Sequence, residues 1–556
     1  MRRIAVVLAL LLVLTGAGSA GFAQVATPSA SPPPAPASTP QVNLSGVAPL
    51  PLIGARRAEF EAYAADLMRR LGVPGASVAV IQGGEIVYLE GFGLRQVGGT
   101  APVTPDTLMM IGSVNKSMTS TMAATLVDDG WISWDTPLVD LLPTFAVSDP
   151  QRTSSLTIAD AFCACTGLPR HDPELLFNFN DLPPEKLITS VAGYPLTAPL
   201  GEKFQYSNQM YAIGGYAASA GAGAPPDDLL HGYELLMQDQ LLNPLGMDTS
   251  TYSLEEVLAS GNYAHPYSIN LEGQVAPVPL LTDQGFVTSV APAGALWSSA
   301  RDMARYVQME LADGVAPDGT RVVSAENLER TRAPRVPIEQ QPGGPPFAYE
   351  SSQAYAMGWV TGAYKGQPLI SHNGGTFGFG SQVAFMPDAN LGLVILTNDV
   401  AAAGPFTLAL QYRLFELLFD QPSEIDPLLS QLFEQQAQQL AQIQAQLGEV
   451  DPAAVEPFLG RYTNRDLGEV ELRMEGSALI LDGGEVHSAL RPLMDEAGNV
   501  TAYLFADAPL AGAPAPIMLQ QDANGRPAIV VTVQDEEGEA TYTFTRVEGS
   551  AATPAP

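Results

Sequence analysis

The sequence predicts an α+β protein: an antiparallel sheet with one helical cluster, followed by a small C-terminal antiparallel β domain of barrel-like pattern. Three observations point there. Strand-like apolar runs near residues 78–89 and 355–400 flank a middle of helical segments broken by Pro- and Gly-rich loops. From about residue 455 the apolar pattern switches to period two. A chain of 556 residues that is 46% hydrophobic can bury more than one core.

Taken in order, Met1-Arg2-Arg3 precedes an apolar run from Ile4 to Leu14, and small residues follow through Ala20 and Ala23. A charged start, a short apolar run and a small-residue cleavage site predict a signal peptide over 1–23, hence a secreted or extracytoplasmic protein. The run is short for a membrane span, so no integral membrane segment is expected in the mature chain. Residues 24–50 read as a disordered linker, because Ala26 to Pro40 is Pro, Ser, Ala and Thr with no apolar period. The main domain is expected over 51–424. Arg57 to Leu71 reads as an amphipathic helix, and Val78–Ile81 with Ile86–Leu89 as a hairpin around Gln82-Gly83-Gly84-Glu85. Helical segments run to about 335. Two apolar runs around the Pro387-Asp388-Ala389-Asn390 turn suggest a second hairpin, and Leu408 to Phe419 reads as a closing helix.

Asp426-Pro427 opens a connector helix over 425–450, with Leu429, Leu432, Phe433, Leu440, Ile443 and Leu447 on one face and Gly448 at its end. Over 451–550, Val470, Leu472 and Met474 alternate, as do Ile529, Val531 and Val533, then Tyr542 and Phe544. Turns at Asp482-Gly483-Gly484, Asn499 and Asn524-Gly525 separate them, which predicts an antiparallel barrel. Residues 551–556 read as a frayed tail.

The net charge is −33. Binding phosphates requires Lys and Arg in excess, so nucleic acid and anionic membrane are poor partners. The only cysteines are Cys163 and Cys165. They are too few for a structural zinc site, and a bridge between them looks cramped, so two buried thiols on a helix are expected. No metal and no cofactor is called for.

Three short motifs carry chemistry. Ser113 and Lys116 stand three apart, and apolar positions at Met118, Met122, Ala123 and Leu126 follow at helical spacing. Residues i and i+3 share a helix face, so the amine can reach the hydroxyl. A serine needs a base before it attacks, and a desolvated lysine can be that base. A helix N-terminus at Ser113 would favour a developing oxyanion. The second motif is Tyr206-Ser207-Asn208: a phenol can relay protons, and an amide can bind donors and acceptors. The third is His372-Asn373-Gly374-Gly375, ahead of the apolar run Val383–Met386. His372 is expected at a strand edge, with Gly374 and Gly375 letting a substrate approach the backbone. No Gly-x-Ser-x-Gly occurs, which disfavours an α/β-hydrolase.

In this order the motifs resemble the serine β-lactamase and penicillin-binding protein superfamily, whose pattern is Ser-x-x-Lys, Tyr-x-Asn, then Lys-Thr-Gly or His-x-Gly. The most similar group holds class C β-lactamases, D-alanyl-D-alanine carboxypeptidases, D-aminopeptidases and related esterases. Val73–Ile81, Thr166-Gly167-Leu168-Pro169 and Gly294–Asp302 look like it too, and the resemblance covers about residues 55 to 420. Where the family often has His-Thr-Ser-Gly, this chain has Ala164-Cys165-Thr166-Gly167. The resemblance implies a β-lactamase-like sheet with a helical cluster, an acyl-enzyme on Ser113, and proton work shared by Lys116 and Tyr206. It implies an oxyanion hole from the N–H groups of Ser113 and Gly375, with Asn208 and His372 orienting substrate. The C-terminal pattern resembles the lipocalin-like domains attached to some peptidases of the family. His372 stands where many β-lactamases have lysine. A neutral histidine supplies less positive charge, which favours a D-amino-acid peptidase or carboxypeptidase acting on a peptide, amide or ester. An esterase or β-lactamase is the alternative. A non-catalytic, penicillin-recognising sensor is the alternative of another class.

Overall fold

A computed structural model describes residues 42–177, 182–279, 288–339, 350–484, 487–511, 515–535 and 538–547. The expected signal peptide, most of the linker and the 551–556 tail lie outside the described residues.

The main sheet has eight strands in the order Glu85–Gly93, Gly75–Gln82, Leu391–Thr397, Phe379–Met386, Gln367–Thr376, Val360–Tyr364, Glu350–Tyr355 and Val336–Pro337. The two ends of the domain meet within this sheet, where Gly75–Gln82 pairs antiparallel with Leu391–Thr397. Both faces are covered. Along Gly75–Gln82, Val78 and Val80 join one core and Ala79 and Ile81 the other. Leu393 and Ile395 alternate with Val394 and Leu396 in the same way. A strand shows successive side chains to opposite faces, so two-sided burial makes the run apolar throughout.

On one face the terminal helices Gly54–Leu71 and Val400–Leu418 pack together over the sheet, burying Phe60, Leu67, Phe406, Leu410 and Phe415. The other face carries the helical cluster around Asn115–Asp128, in which every residue from Asn115 to Leu126 is buried. That helix is rich in hydroxyls, and its Thr119, Ser120, Thr121 and Thr125 donate to nearby carbonyls, so none is left unpaired in the core. The second hairpin is present: Pro387–Ala389 forms a single 3-10 turn, and Asn390 takes the left-handed conformation at φ 44° that closes it.

The connector is one helix, Ile425–Gln446. Ile425 and Leu429 enter the core under the sheet, while Ile443 packs with Leu271, Leu493 and Leu504. The β domain is a closed eight-stranded barrel from Gly460–Asn464 to Gly538–Arg546, whose first and last strands pair. Tyr462, Val470, Leu472, Tyr503, Phe505, Ile529, Val531 and Phe544 fill its interior, the usual state of a barrel this narrow. The barrel touches the main domain at the helix Asp172–Phe177: Tyr542 Oη donates to Glu174 Oε1 at 2.8 Å, and the rings of Phe544 and Phe177 lie 6.2 Å apart.

Two expectations are corrected. Cys163 and Cys165 are bridged rather than free thiols on a helix. The short helix Ile158–Ala161 has already ended, and Ala164 at φ 50° folds the chain into a turn tight enough to bring the two Cα atoms to 5.1 Å, within disulfide range. His372 lies on an interior strand, between Phe379–Met386 and Val360–Tyr364, rather than on an edge. Among the described residues no helix is long and apolar enough to cross a membrane.

Candidate active site

The serine sits on a turn clamped between the sheet and the helical cluster. Ile111 donates its N–H to Leu296 O at 3.0 Å, and its carbonyl accepts from Ser381 Oγ at 2.6 Å. Gly112 then turns at φ 52°, and one 3-10 turn, Gly112–Val114, leads into the helix Asn115–Asp128. Half-buried Ser113 thus stands at the head of that helix. The glycines of the third motif have a use the sequence reading did not foresee. A Cβ on Gly374 would lie 2.1 Å from Ile111 O, and one on Gly112 would lie 2.8 Å from Gly375 N. Only glycine lets strand and serine turn approach backbone to backbone. The contact sets the strand at Gly375 against Gly112, the residue preceding Ser113.

Lys116 is buried, with Nζ 3.0 Å from Ser113 Oγ, 2.7 Å from Asn208 Oδ1 and 2.8 Å from Ala293 O. Burial, assisted by the Arg170 guanidinium, drives its pKa well below the usual lysine value, with Asp172 opposing. A neutral amine has two N–H bonds and one lone pair. Asn208 Oδ1 and Ala293 O can only accept, so they take both N–H bonds. The lone pair is left for the Ser113 hydroxyl.

Each of these partners is itself held. Ala293 belongs to the segment Ala291–Gly294, whose other carbonyls accept from the same helix: Asn115 Nδ2 donates to Ala291 O at 2.7 Å and Thr119 Oγ1 to Pro292 O at 2.7 Å. Asn208 opens the helix Asn208–Gly221, capped by Ser207. Its Nδ2 donates to Asp172 Oδ1 at 2.9 Å, which turns Oδ1 towards Lys116. Asp172 is ion-paired with Arg170, and the Arg170 guanidinium lies 5.3 Å from the Tyr206 ring centre. Asn208 therefore holds the lysine, a contact the sequence reading did not foresee.

Tyr206 lies with its ring centre 4.8 Å from Lys116 Nζ. Its ring meets Tyr355 edge-on at 6.0 Å and is 6.3 Å from His372. His372 is buried, with Nδ1 2.6 Å from Asn373 O and Nε2 3.2 Å from Tyr355 Oη. Its pKa is pushed down to about 3, first by burial and then by Lys116. A neutral ring with the proton on Nδ1 donates to the carbonyl and accepts from the phenol.

The structure thus brings Ser113, Lys116, Tyr206, Asn208, His372, Gly374 and Gly375 together. Sequence reasoning missed Asp172, Arg170, Ala293 and Tyr355. The signal for the first two was a charged cluster, Arg170-His171-Asp172, directly after Thr166-Gly167-Leu168-Pro169. Among the described residues no cluster of His, Cys, Asp and Glu could hold a metal ion.

Fold and site define a scaffold in which a buried lysine serves a serine at a helix head. The Beta-lactamase family model matches residues 60–417, and the chain belongs to that family. It is 30% identical over 376 residues to an unguisins hydrolase of Aspergillus campestris, covering 65% of each chain. A second Aspergillus unguisins hydrolase is also covered over 65%, so the chain spans just under two thirds of these relatives. It is 30% identical over 365 residues to penicillin-binding protein 4 of Amycolatopsis lactamdurans, covering 64% of this chain and 91% of that one. In fold it is similar to the octameric penicillin-binding protein homologue from Pyrococcus abyssi, with a TM-score of 0.57 and 21% identity over 88% of this chain and all of that one.

Proposed function

We propose that the protein is a secreted serine hydrolase working through an acyl-enzyme on a peptide, amide or ester, of the D-amino-acid peptidase or carboxypeptidase type. The observation that carries the reading is the buried lysine amine, 3.0 Å from Ser113 Oγ and held by two fixed acceptors, Asn208 Oδ1 at 2.7 Å and Ala293 O at 2.8 Å, which leave its lone pair for the serine when the amine is neutral. Ser113 attacks the carbonyl as Lys116 takes its proton, with Tyr206 close enough to share the relay. The N–H groups of Ser113 and Gly375 receive the oxyanion. The names of the relatives, hydrolase and penicillin-binding protein, fit this reading. A neutral His372 favours peptidase or esterase turnover over an efficient β-lactamase. The Cys163–Cys165 bridge supports an oxidising, extracytoplasmic setting. A fluorophosphonate or fluorescent penicillin label tests the reading. It should map to a peptide containing Ser113 and vanish in Ser113→Ala, and a panel of D-amino-acid amides, D-Ala-D-Ala peptides, short esters and nitrocefin then ranks the substrates. A folded wild type that neither reagent labels would leave the penicillin-recognising sensor as the better reading.

A further inference from the structure

We infer that the Cys163–Cys165 bridge is a positioning element for Tyr206, an inference that rests on the hydrolase reading above. Residues 204–207 form no helix or strand, so regular backbone pairing does not place Tyr206. The segment leans on the bridged turn. Gln205 N donates to Ala164 O at 2.8 Å, and Gly201 N donates to Cys165 O at 2.8 Å. Cys163, Ala164 and Cys165 share one buried cluster with Tyr206 and Tyr355, and Phe204 packs on it. The residue whose carbonyl holds Gln205 is also the residue the bridge constrains: Ala164 at φ 50°, a conformation that non-glycine residues avoid. The bridge fixes both ends of that residue and so points its carbonyl at the neighbour of Tyr206. Without it, Ala164 is free to leave the left-handed region, its carbonyl swings, and Tyr206 loses its register against Lys116.

The test compares the full-length wild type, Cys163→Ala/Cys165→Ala, and the same double variant with Ala164→Gly added. Glycine takes positive φ without the steric penalty and so restores the carbonyl direction without the bridge. Two readouts are followed: the rate constant of fluorophosphonate labelling, and hydrogen-exchange protection of the Gln205 amide. In the double variant labelling should slow at least tenfold, since misplacements near 1 Å cost about a hundredfold. Gln205 protection should fall with it, and the added glycine should recover both several-fold. Labelling and protection at wild-type levels in the double variant would overturn the inference. So would a slow double variant that Ala164→Gly does not restore, which would leave the bridge a role in general packing. Should the double variant not fold, wild type held in tris(2-carboxyethyl)phosphine, with reduction confirmed by mass, supplies the same comparison. If wild type is never labelled, the hydrolase reading fails, and Gln205 protection still decides whether the bridge places this segment.

Discussion

Asp172 touches neither serine nor lysine, yet its removal should be felt at both. In Asp172→Ala the Asn208 amide loses the acceptor 2.9 Å from Nδ2 and can rotate. Rotation turns an NH₂ group towards Lys116 Nζ, which now sits 2.7 Å from Oδ1. One of the two acceptors that orient the lone pair is then gone. A hydrogen bond to a charged group is worth about 1.5–3 kcal/mol. If all of it is felt in the acylation transition state, the rate falls about 10- to 150-fold. Asp172→Asn, which keeps an acceptor without charge, should lose less. The pH profile separates this from a general loss of structure. Lys116 must be neutral to accept the proton, so acylation rises with pH through its pKa. Asp172 raises that pKa and Arg170 lowers it, so Asp172→Ala should move the acid limb to lower pH and Arg170→Ala to higher pH. Timed labelling across pH 4–9, with circular dichroism as the folding control, is the assay. Asp172→Ala within twofold of wild type and with an unmoved acid limb would refute the chain from Asp172 through Asn208 to Lys116.

Four other outcomes follow from the same geometry. Ser113→Ala should abolish labelling with the melting temperature kept, and a label at any other serine would displace Ser113. Lys116→Ala should slow acylation by about 10²–10⁴, and Lys116→Arg should not restore it, because a guanidinium stays protonated; near-normal turnover in Lys116→Arg would mean another proton route. His372 has a folded pKa near 3 against an ordinary 6.5, so its contribution to stability is present above 6.5 and is lost as pH falls towards 3. Urea unfolding between pH 6.5 and 4 should therefore fall less steeply in His372→Gln, by up to about 1.4 kcal/mol per pH unit, and parallel curves would contradict the burial argument. Finally, a chain ending near Pro427 loses the buried Leu429 and the grip of Tyr542 on Glu174, so it should melt lower and label more slowly. Equal values would mean that the β domain, which carries no chemical motif, is dispensable for acylation.

Much of the architecture was legible because period and punctuation follow from local physics. Alternation at Val470, Leu472 and at Ile529, Val531 showed a barrel face, and the hydrophobic stripe of Leu429 and Ile443 showed a helix. Ser113 and Lys116 were legible because three residues along a helix is a contact that sequence spacing encodes. What escaped needed the third dimension. Asp172 meets Asn208 across 36 residues, and Ala293 meets Lys116 across 177. A backbone carbonyl also has no residue type by which to recognise it. The bridge was missed because this Cys-x-Cys closes around a middle residue at positive φ, and alanine gives no hint of that. The motif glycines were assigned to substrate approach because sequence shows that space is needed, not what fills it.

Little net charge is fixed at the centre of the site: burial drives the pKa of Lys116 well below the usual lysine value, His372 is pushed down to about 3, and Arg170 is paired with Asp172. The chain around it carries a net charge of −33. Long-range attraction therefore favours molecules that arrive with a positive end, such as a peptide with a free amine, and slows anions before any contact forms. Selection of this kind acts on encounter rather than fit, and raising the ionic strength erases it. The ratio of capture rates for an amine-bearing substrate and its acylated counterpart should shrink towards unity as salt is added, with the chemistry at Ser113 unchanged.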